Sequence, residues 1–380
     1  MDFTFATAGR LIFGPGKVRE LAGIVASLGS RPLIVTGSNP ARVTPYLEGI
    51  SDYKTFPVSG EPTMDVVRAG AELARQHEAD VVVGFGGGSA MDSAKIIASL
   101  ATNGGDPLDY AEVIGKGQPL SVPSLPVVAV PTTSGTGSEV TANGVVSSGT
   151  GEDGVKVSLR SPSMLAKVAL VDPELTLDVP PSVTAHSGLD ALVQCIEPYV
   201  SWAHNPITDA LTREGMLRSA RSLRSAYEDG SNLDARTDLS ITSLFSGISL
   251  ANAKLGAAHG IAAPAGGMLG APHGAITASV MPAVMRVNLA AARAGRAQDD
   301  TERRYTEVGL YLTGKADAEA GIEWFAATAR ALGVEGLGAL GLTEELVPKL
   351  AVAAARASSS KGNPAKLDQA EFEEILRESL

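Results

Sequence analysis

Thiols are almost missing from this chain of 380 residues: Cys195 is the only cysteine. One thiol makes no internal disulfide; its apolar neighbours point to a buried and inert side chain, and its flanks Gln194 and Ile196 offer no base for a nucleophile. Positive charge is also in deficit. Lys and Arg number 31 against 42 Asp and Glu, a net charge of −11. Such a surface repels nucleic acid and anionic membranes, which removes polyanionic partners from consideration. It leaves open a small anionic ligand, which local amides and a single lysine can hold. No stretch approaches the ~18 uninterrupted apolar residues of a membrane span. The opening segment MDFTFATAGRLIFG has neither the basic start nor the apolar run of a signal peptide, so a cytoplasmic protein is expected. Internal repeats and low-complexity tracts are absent as well.

What is present is a globular composition, 44% hydrophobic and 19% charged, with 42 glycines marking many tight turns. The length exceeds what one core serves and suits two domains. In the first half, apolar runs alternate with helical periodicity. PLIVTG (32–37), ADVVVGFGGG (79–88), LPVVAVPTT (125–133) and KVALVDP (167–173) read as strands. MDVVRAGAELARQH (64–77) and SAMDSAKIIASLAT (89–102) read as helices. Alternation of this kind implies a parallel sheet covered on both faces. The double proline at 180–181 breaks the chain, and helical patterns follow it: PITDALTREGMLRSARSLRSAYEDG, GIEWFAATARALG and TEELVPKLAVAAARAS. The expected organisation is an α/β domain over 1–180 and an all-α domain over 181–380.

Three stretches carry chemistry. In VVVGFGGGSAMDSAK a strand enters three glycines and then a serine opening a helix, so backbone amides and a helix N-terminus can seat a diphosphate at Gly86, Gly87, Gly88 and Ser89. This is neither the G-x-G-x-x-G fingerprint nor a P-loop, since Lys95 lies too far along the helix. VPTTSGTGSEVT (130–141) places hydroxyls and glycines directly after a strand, at the carboxyl edge where open α/β sheets bind ligands. AAHGIAAPAGGMLGAPHGAITA (257–278) holds His259 and His273, two of only five histidines. His77, His186 and His204 read as ordinary core or surface residues. In HSGLDALVQCIEPYVS (186–201) Asp190 and Gln194 stand four apart, on one helix face. With His259 and His273 they can form a divalent-ion site; alternatively they satisfy each other beneath a packed helix.

FGGGSAMDSAK, PTTSGTGSEVT, LVDPELT, GLDAL…IEPYVS…NPITDAL and AHG…APHG together resemble the iron-containing (group III) alcohol dehydrogenase family, whose architecture is shared with dehydroquinate synthase. The matches run in the family's order from residue 84 to 274. The resemblance implies a nucleotide-binding α/β domain, a helical domain, an active site in the cleft between them, and hydride transfer between NAD(P) and an alcohol or aldehyde. It implies that Asp190, His259 and His273, with Gln194 assisting, hold Fe(II) or Zn(II), and that Asp190, His259 and His273 are catalytic. Asp92, Thr132, Thr133, Ser134 and Thr136 would position ribose and nicotinamide, and Lys156 matches a family lysine near the coenzyme. Two positions depart from the pattern. Gln194 stands where the family has a histidine, and a neutral amide oxygen is a weaker donor to a transition metal. Ala263 stands where a further histidine, a candidate proton relay, is usual.

The family often carries an aspartate just after the first strand to bind the adenosine ribose. Here Gly37, Ser38 and Asn39 occupy that place, with Arg42 nearby, which favours NADP, with binding of either coenzyme as the alternative. The expected protein is therefore an NAD(P)-dependent oxidoreductase interconverting a small alcohol and its aldehyde or ketone, without nucleic-acid or membrane partners and as a homo-oligomer, usually a dimer in such folds. Its rivals are a metal-free reductase of an oxo acid resembling the maleylacetate reductases, a dehydroquinate synthase-type lyase, and a nucleotide-binding protein whose catalytic site has decayed.

Overall fold

A computed structural model describes residues 2–112, 114–148 and 155–380. Its first part is built on six parallel strands, β1 (Arg10–Phe13), β2 (Pro32–Thr36), β3 (Lys54–Pro57), β4 (Val81–Gly86), β5 (Val127–Pro131) and, after a two-stranded ribbon, β8 (Val168–Val171), in the spatial order β1-β8-β5-β4-β2-β3. The ribbon pairs β6 (Asn143–Ser148) with β7 (Val155–Arg160), antiparallel. Strands β2, β4, β5 and β8 are buried throughout, as expected where helices cover both faces of a parallel sheet. One face is filled by Leu33, Val82, Ile97 and Leu100 among others, the other by Ile34, Val83, Val130 and Leu170.

Two helices matter to the site on this side: α2 (Met64–Gln76) and α3 (Gly88–Asn103), with α1 (Leu21–Ala26) and the one-turn α4 (Pro107–Tyr110) completing the set. The chain leaves β2 for the edge strand β3, then crosses back over β2 to β4. The strand order therefore reverses between β2 and β4, and open α/β sheets bind their ligands outside the carboxyl ends of strands at such a reversal.

From Pro181 onward the chain is helical. Nine helices follow: α5 (Pro181–Val200), α6 (Pro206–Glu228), α7 (Leu233–Ala253), α8 (Ala257–Leu269), α9 (His273–Arg293), α10 (Thr301–Thr313), α11 (Ala318–Ala331), α12 (Val347–Arg356) and α13 (Gln369–Glu378). Pro181 supplies the preset φ of a first helical residue, and Asn205 caps α6 through a reciprocal bond with Thr208. Helix α5 lies at the centre, packed against α6, α7 and α9. Its Leu189, Leu192, Val193 and Ile196 are wholly buried in one helical core. Cys195 is buried there too, as its apolar neighbours suggest, and burial pushes its thiol well up from its ordinary value. Helix α9 has the length and hydropathy of a membrane span, but 72% of that window is buried in the helical core. Leu244 and Ile248 of α7 pack instead with the sheet, tying the two parts together.

Candidate active site

The glycine run sits where β4 becomes α3, at the strand-order reversal. No side chain caps the N-terminus of α3, so its first-turn N–H groups are left for a ligand. Close approach favours glycine at two of the three positions, and the third has ordinary room. A Cβ on Gly86 would stand 2.7 Å from Ala90 Cβ, one on Gly88 2.8 Å from Thr136 Cγ2, and one on Gly87 3.4 Å from Thr133 Oγ1. Thr133 and Thr136 thus wall the cradle from the loop after β5. Thr132 ties that loop down by donating its N–H to the Gly86 carbonyl at 2.9 Å.

The other predicted coenzyme residues divide. Gly37 lies beside the cradle, its nitrogen 3.2 Å from where a Gly86 Cβ would be, while a Cβ on Gly37 itself would meet nothing within 4 Å. Ser38 and Arg42 are exposed. Asn39 caps a short turn, its Oδ1 accepting from Ala41 N at 3.1 Å. Asp92 works internally: it accepts from the Ser138 hydroxyl and from Val145 N at 3.0 Å, and pairs with the buried Lys95 ammonium at 3.3 Å. Ser134 is buried and turned to Ser240 Oγ of α7 at 3.1 Å. Lys156, on β7, is paired with Glu61 at 2.9 Å and reaches over Gly266 of α8.

The second cluster is carried by α5, α8 and α9. The ligand atoms of Asp190, His259 and His273 all lie within 4.8 Å of one another. His259 Nε2 is 3.5 Å and His273 Nε2 3.9 Å from Asp190 Oδ1, and the two rings are 5.3 Å apart. His259 is buried, and its Nε2 has no hydrogen-bond partner; at 3.5 Å the approach to Asp190 is electrostatic only. An orphaned imidazole nitrogen inside a group of one carboxylate and two imidazoles is what a divalent transition-metal ion fits.

Hydrogen bonds behind these three fix their orientation. Glu197, buried on α5, accepts from Ala258 N at 2.7 Å with Oε1 and meets His259 Nδ1 at 2.7 Å with Oε2. That contact gives Nδ1 the proton and points the other nitrogen at the cluster. Burial acts to depress the His259 ring, but Asp190 and Glu197 outweigh it and carry it up to about 10. Asp190 is held on both sides. Its Oδ1 accepts from Thr277 Oγ1 at 2.8 Å, and its Oδ2 from Gln194 Nε2 at 2.7 Å. Gln194 is buried, and its oxygen lies 3.0 Å from Ser246 Oγ on α7. Burial raises the Asp190 carboxyl, but His273, His259 and Thr277 overcome it and leave the group below its ordinary value.

Sequence reasoning brought out Asp190, Gln194, His259 and His273 but passed over Glu197, Thr277, Ser246 and Glu61. A signal existed for two of them. Glu197 is seven residues after Asp190, two turns along the same face, and Thr277 is one turn after His273. Ser246 and Glu61 come from distant segments and no spacing announces them.

The two clusters approach through one loop. Gly135, between the walls Thr133 and Thr136, packs so tightly on α5 that a Cβ there would be 2.5 Å from Ser187 Cβ. Ser187 is one helical turn before Asp190. A Cβ on Gly274, next to His273, would likewise stand 2.3 Å from the His186 carbonyl oxygen.

Comparison with known proteins identifies the family. Residues 8–173 match the family described as iron-containing alcohol dehydrogenase, and residues 184–380 match the C-terminal part of the Fe-containing alcohol dehydrogenase family. The chain is 36% identical over 312 residues to alcohol dehydrogenase 4 of Saccharomyces cerevisiae, covering 79% of this chain and 78% of that protein. A solved 1,3-propanediol oxidoreductase superposes with a TM-score of 0.90 at 31% identity over 100% of both chains. Sulfoacetaldehyde reductase from Bifidobacterium kashiwanohense, solved in complex with NAD+, gives a TM-score of 0.86 at 28% identity, covering 100% of this chain and 99% of that one.

Proposed function

Because the chain belongs to the iron-containing alcohol dehydrogenase family, an enzyme that interconverts an alcohol and its aldehyde or ketone with a nicotinamide coenzyme, we propose that its two clusters divide that work between them. Gly86, Gly87, Gly88 and Ser89 hold the coenzyme diphosphate, walled by Thr133 and Thr136. Asp190, His259 and His273 hold Fe(II) or Zn(II). When bound, the nicotinamide carries the hydride and the ion polarises the substrate oxygen. The protein's own part is positioning. Glu197 sets the His259 tautomer, Thr277 and Gln194 fix the Asp190 carboxylate, and the packed loop at Gly135 brings the coenzyme domain against α5.

The observation that carries this reading is the orphaned, buried His259 Nε2 inside the Asp190–His259–His273 group, one helical turn from the loop that walls the cradle. Two finer proposals follow. NADP is favoured over NAD, because no carboxylate follows β2 and the space at Gly37 is open beside Ser38, Asn39 and Arg42. A small uncharged aldehyde is favoured as substrate. Lys156, whose charge reaches His273, is already neutralised by Glu61, and 263–272 is a stretch of small and apolar residues.

The test is oxidation of NADPH and NADH by the purified enzyme against uncharged aldehydes and oxo acids, before and after exhaustive chelation. Aldehyde-dependent oxidation should vanish on chelation, return with Fe(II) or Zn(II), and be abolished in His273→Ala with thermal unfolding of the ion-free protein unchanged. Full activity after chelation would instead select the metal-free oxo-acid reductase.

A further inference from the structure

Gln194 occupies an unusual place: a neutral amide, buried between an acid and a hydroxyl, 2.7 Å from one oxygen of Asp190 and 3.0 Å from Ser246 Oγ. The other Asp190 oxygen belongs to the Asp190–His259–His273 group. An amide presents either its nitrogen or its oxygen to a given neighbour by a half-turn about its last bond, and the neighbours decide which. On the Asp190 side the nitrogen is demanded, since an amide oxygen at 2.7 Å from a carboxylate oxygen is repulsive unless a cation lies between them.

The Ser246 side is permissive. Ser246 Oγ has one hydrogen and two acceptors within reach, Gln194 Oε1 at 3.0 Å and the Ser243 carbonyl at 2.8 Å. It serves one of them at a time. With the hydrogen on Gln194, the amide oxygen is satisfied and its nitrogen faces Asp190. With the hydrogen on Ser243, the same hydroxyl oxygen accepts, and the amide nitrogen can turn to it. Both arrangements satisfy every group at the Ser246 end without displacing a heavy atom of the backbone. Ser246 and Gln194 are both buried.

Building on the metal-site reading above, we propose that Gln194 is a switchable ligand. In the ion-free protein its nitrogen pins Asp190. When a divalent cation enters, the amide turns over, directs Oε1 to the cation and gives its nitrogen to Ser246. The bistable element is the Gln194–Ser246 pair, and the cation biases it because it interacts differently with the two orientations. Turning over lets an amide serve at this position of α5, and it uses a facing hydroxyl that has a second acceptor in its own helix.

Loss of a ligand and loss of a group that merely orients Asp190 both lower ion affinity. Only loss of a ligand changes the donors around the ion, so a Co(II) spectrum identical with and without Gln194 overturns the switch. The experiment titrates chelator-stripped protein with Co(II) and Zn(II) against a chromophoric chelator, in wild type and in Gln194→Met, which keeps the unbranched shape. We expect Gln194→Met to bind about tenfold or more weakly, with a changed Co(II) absorption spectrum. Equal or tighter binding by the variant overturns the proposal while leaving the metal site standing. A wild type that binds neither ion overturns both. Should Gln194→Met not fold, wild type labelled with 15N at its five glutamines supplies the answer. Zn(II) should move the side-chain NH2 pair of Gln194, and a pair that stays at its ion-free position overturns the switch.

Discussion

Replacing Glu197 by glutamine removes one charge and almost no volume, and the structure says why the enzyme should not tolerate it. Both carboxylate oxygens face donors: Oε1 the N–H of Ala258, and Oε2 the Nδ1 of His259, each at 2.7 Å. An amide has one oxygen. If its NH2 meets Ala258 N–H, two donors confront each other in a buried space. If instead it meets His259 Nδ1, that atom must accept, and the ring proton moves to Nε2, the atom that points into the Asp190–His259–His273 group. Either way a charge-assisted hydrogen bond is lost, worth ~1.5–3 kcal/mol. Loss of an orienting carboxylate behind a ligating histidine typically costs 10–100-fold in metal affinity or turnover. In Glu197→Gln we therefore expect ion affinity, measured by chelator competition, to fall by at least about tenfold. The pH dependence of ion binding should also shift, because Glu197 is one of the groups that raise His259. A variant that binds the ion and turns over like wild type would refute the assignment of Glu197 as the positioning residue.

In Gly88→Ala the added Cβ would stand 2.8 Å from Thr136 Cγ2, turning Thr136 into the cradle; coenzyme KM should rise on the order of tenfold with the unfolding temperature nearly unchanged, as steady-state kinetics and a thermal melt will show. Glu139 is fully enclosed, and burial pushes its carboxyl up from 4.5 to about 7, against the smaller effects of its own backbone and Lys95. The folded protein then keeps a proton that the unfolded chain releases, so stability falls as pH rises from 4.5 through 7, by roughly 3 kcal/mol from this group. Glu139→Gln should remove that part of the fall, and denaturant unfolding at pH 5 and pH 8 in both proteins measures it.

Much of this was legible in the sequence, and the reason is local geometry. The glycine run could be placed between β4 and α3 because a strand, a tight turn and a helix start are encoded contiguously, and Asp190 with Gln194 could be placed on one face because a helix repeats every turn. The α/β and helical halves followed from alternation and its loss at the double proline. What stayed hidden was what contiguity does not encode. β1 is too short for a period, and β6 and β7 form an antiparallel ribbon beside an otherwise parallel sheet. Helix α7 is buried along most of its length, so it shows no polar face to read. Ser246 is one of its several buried serines, and only the crossing of α7 with α5 makes it the partner of Gln194.

The electrostatics of the cluster give a reason for the ion beyond chemistry. Asp190 and Glu197 are two carboxylates, 3% and 2% exposed, and buried charges are costly unless compensated. A proton on His259 compensates one of them and leaves the other. A divalent ion, displacing that proton, balances both. Ion loading should therefore stabilise the fold as well as enable turnover. At a free ion concentration a hundredfold above Kd, linkage gives ~2.7 kcal/mol, which is several degrees in Tm for a domain of this size. Asp190→Asn should abolish the rise, because it removes the charge the ion binds to. Scanning calorimetry of stripped and Zn(II)-loaded protein decides it: an ion that binds without moving Tm would bind the unfolded chain as tightly, and would refute a site assembled by the fold.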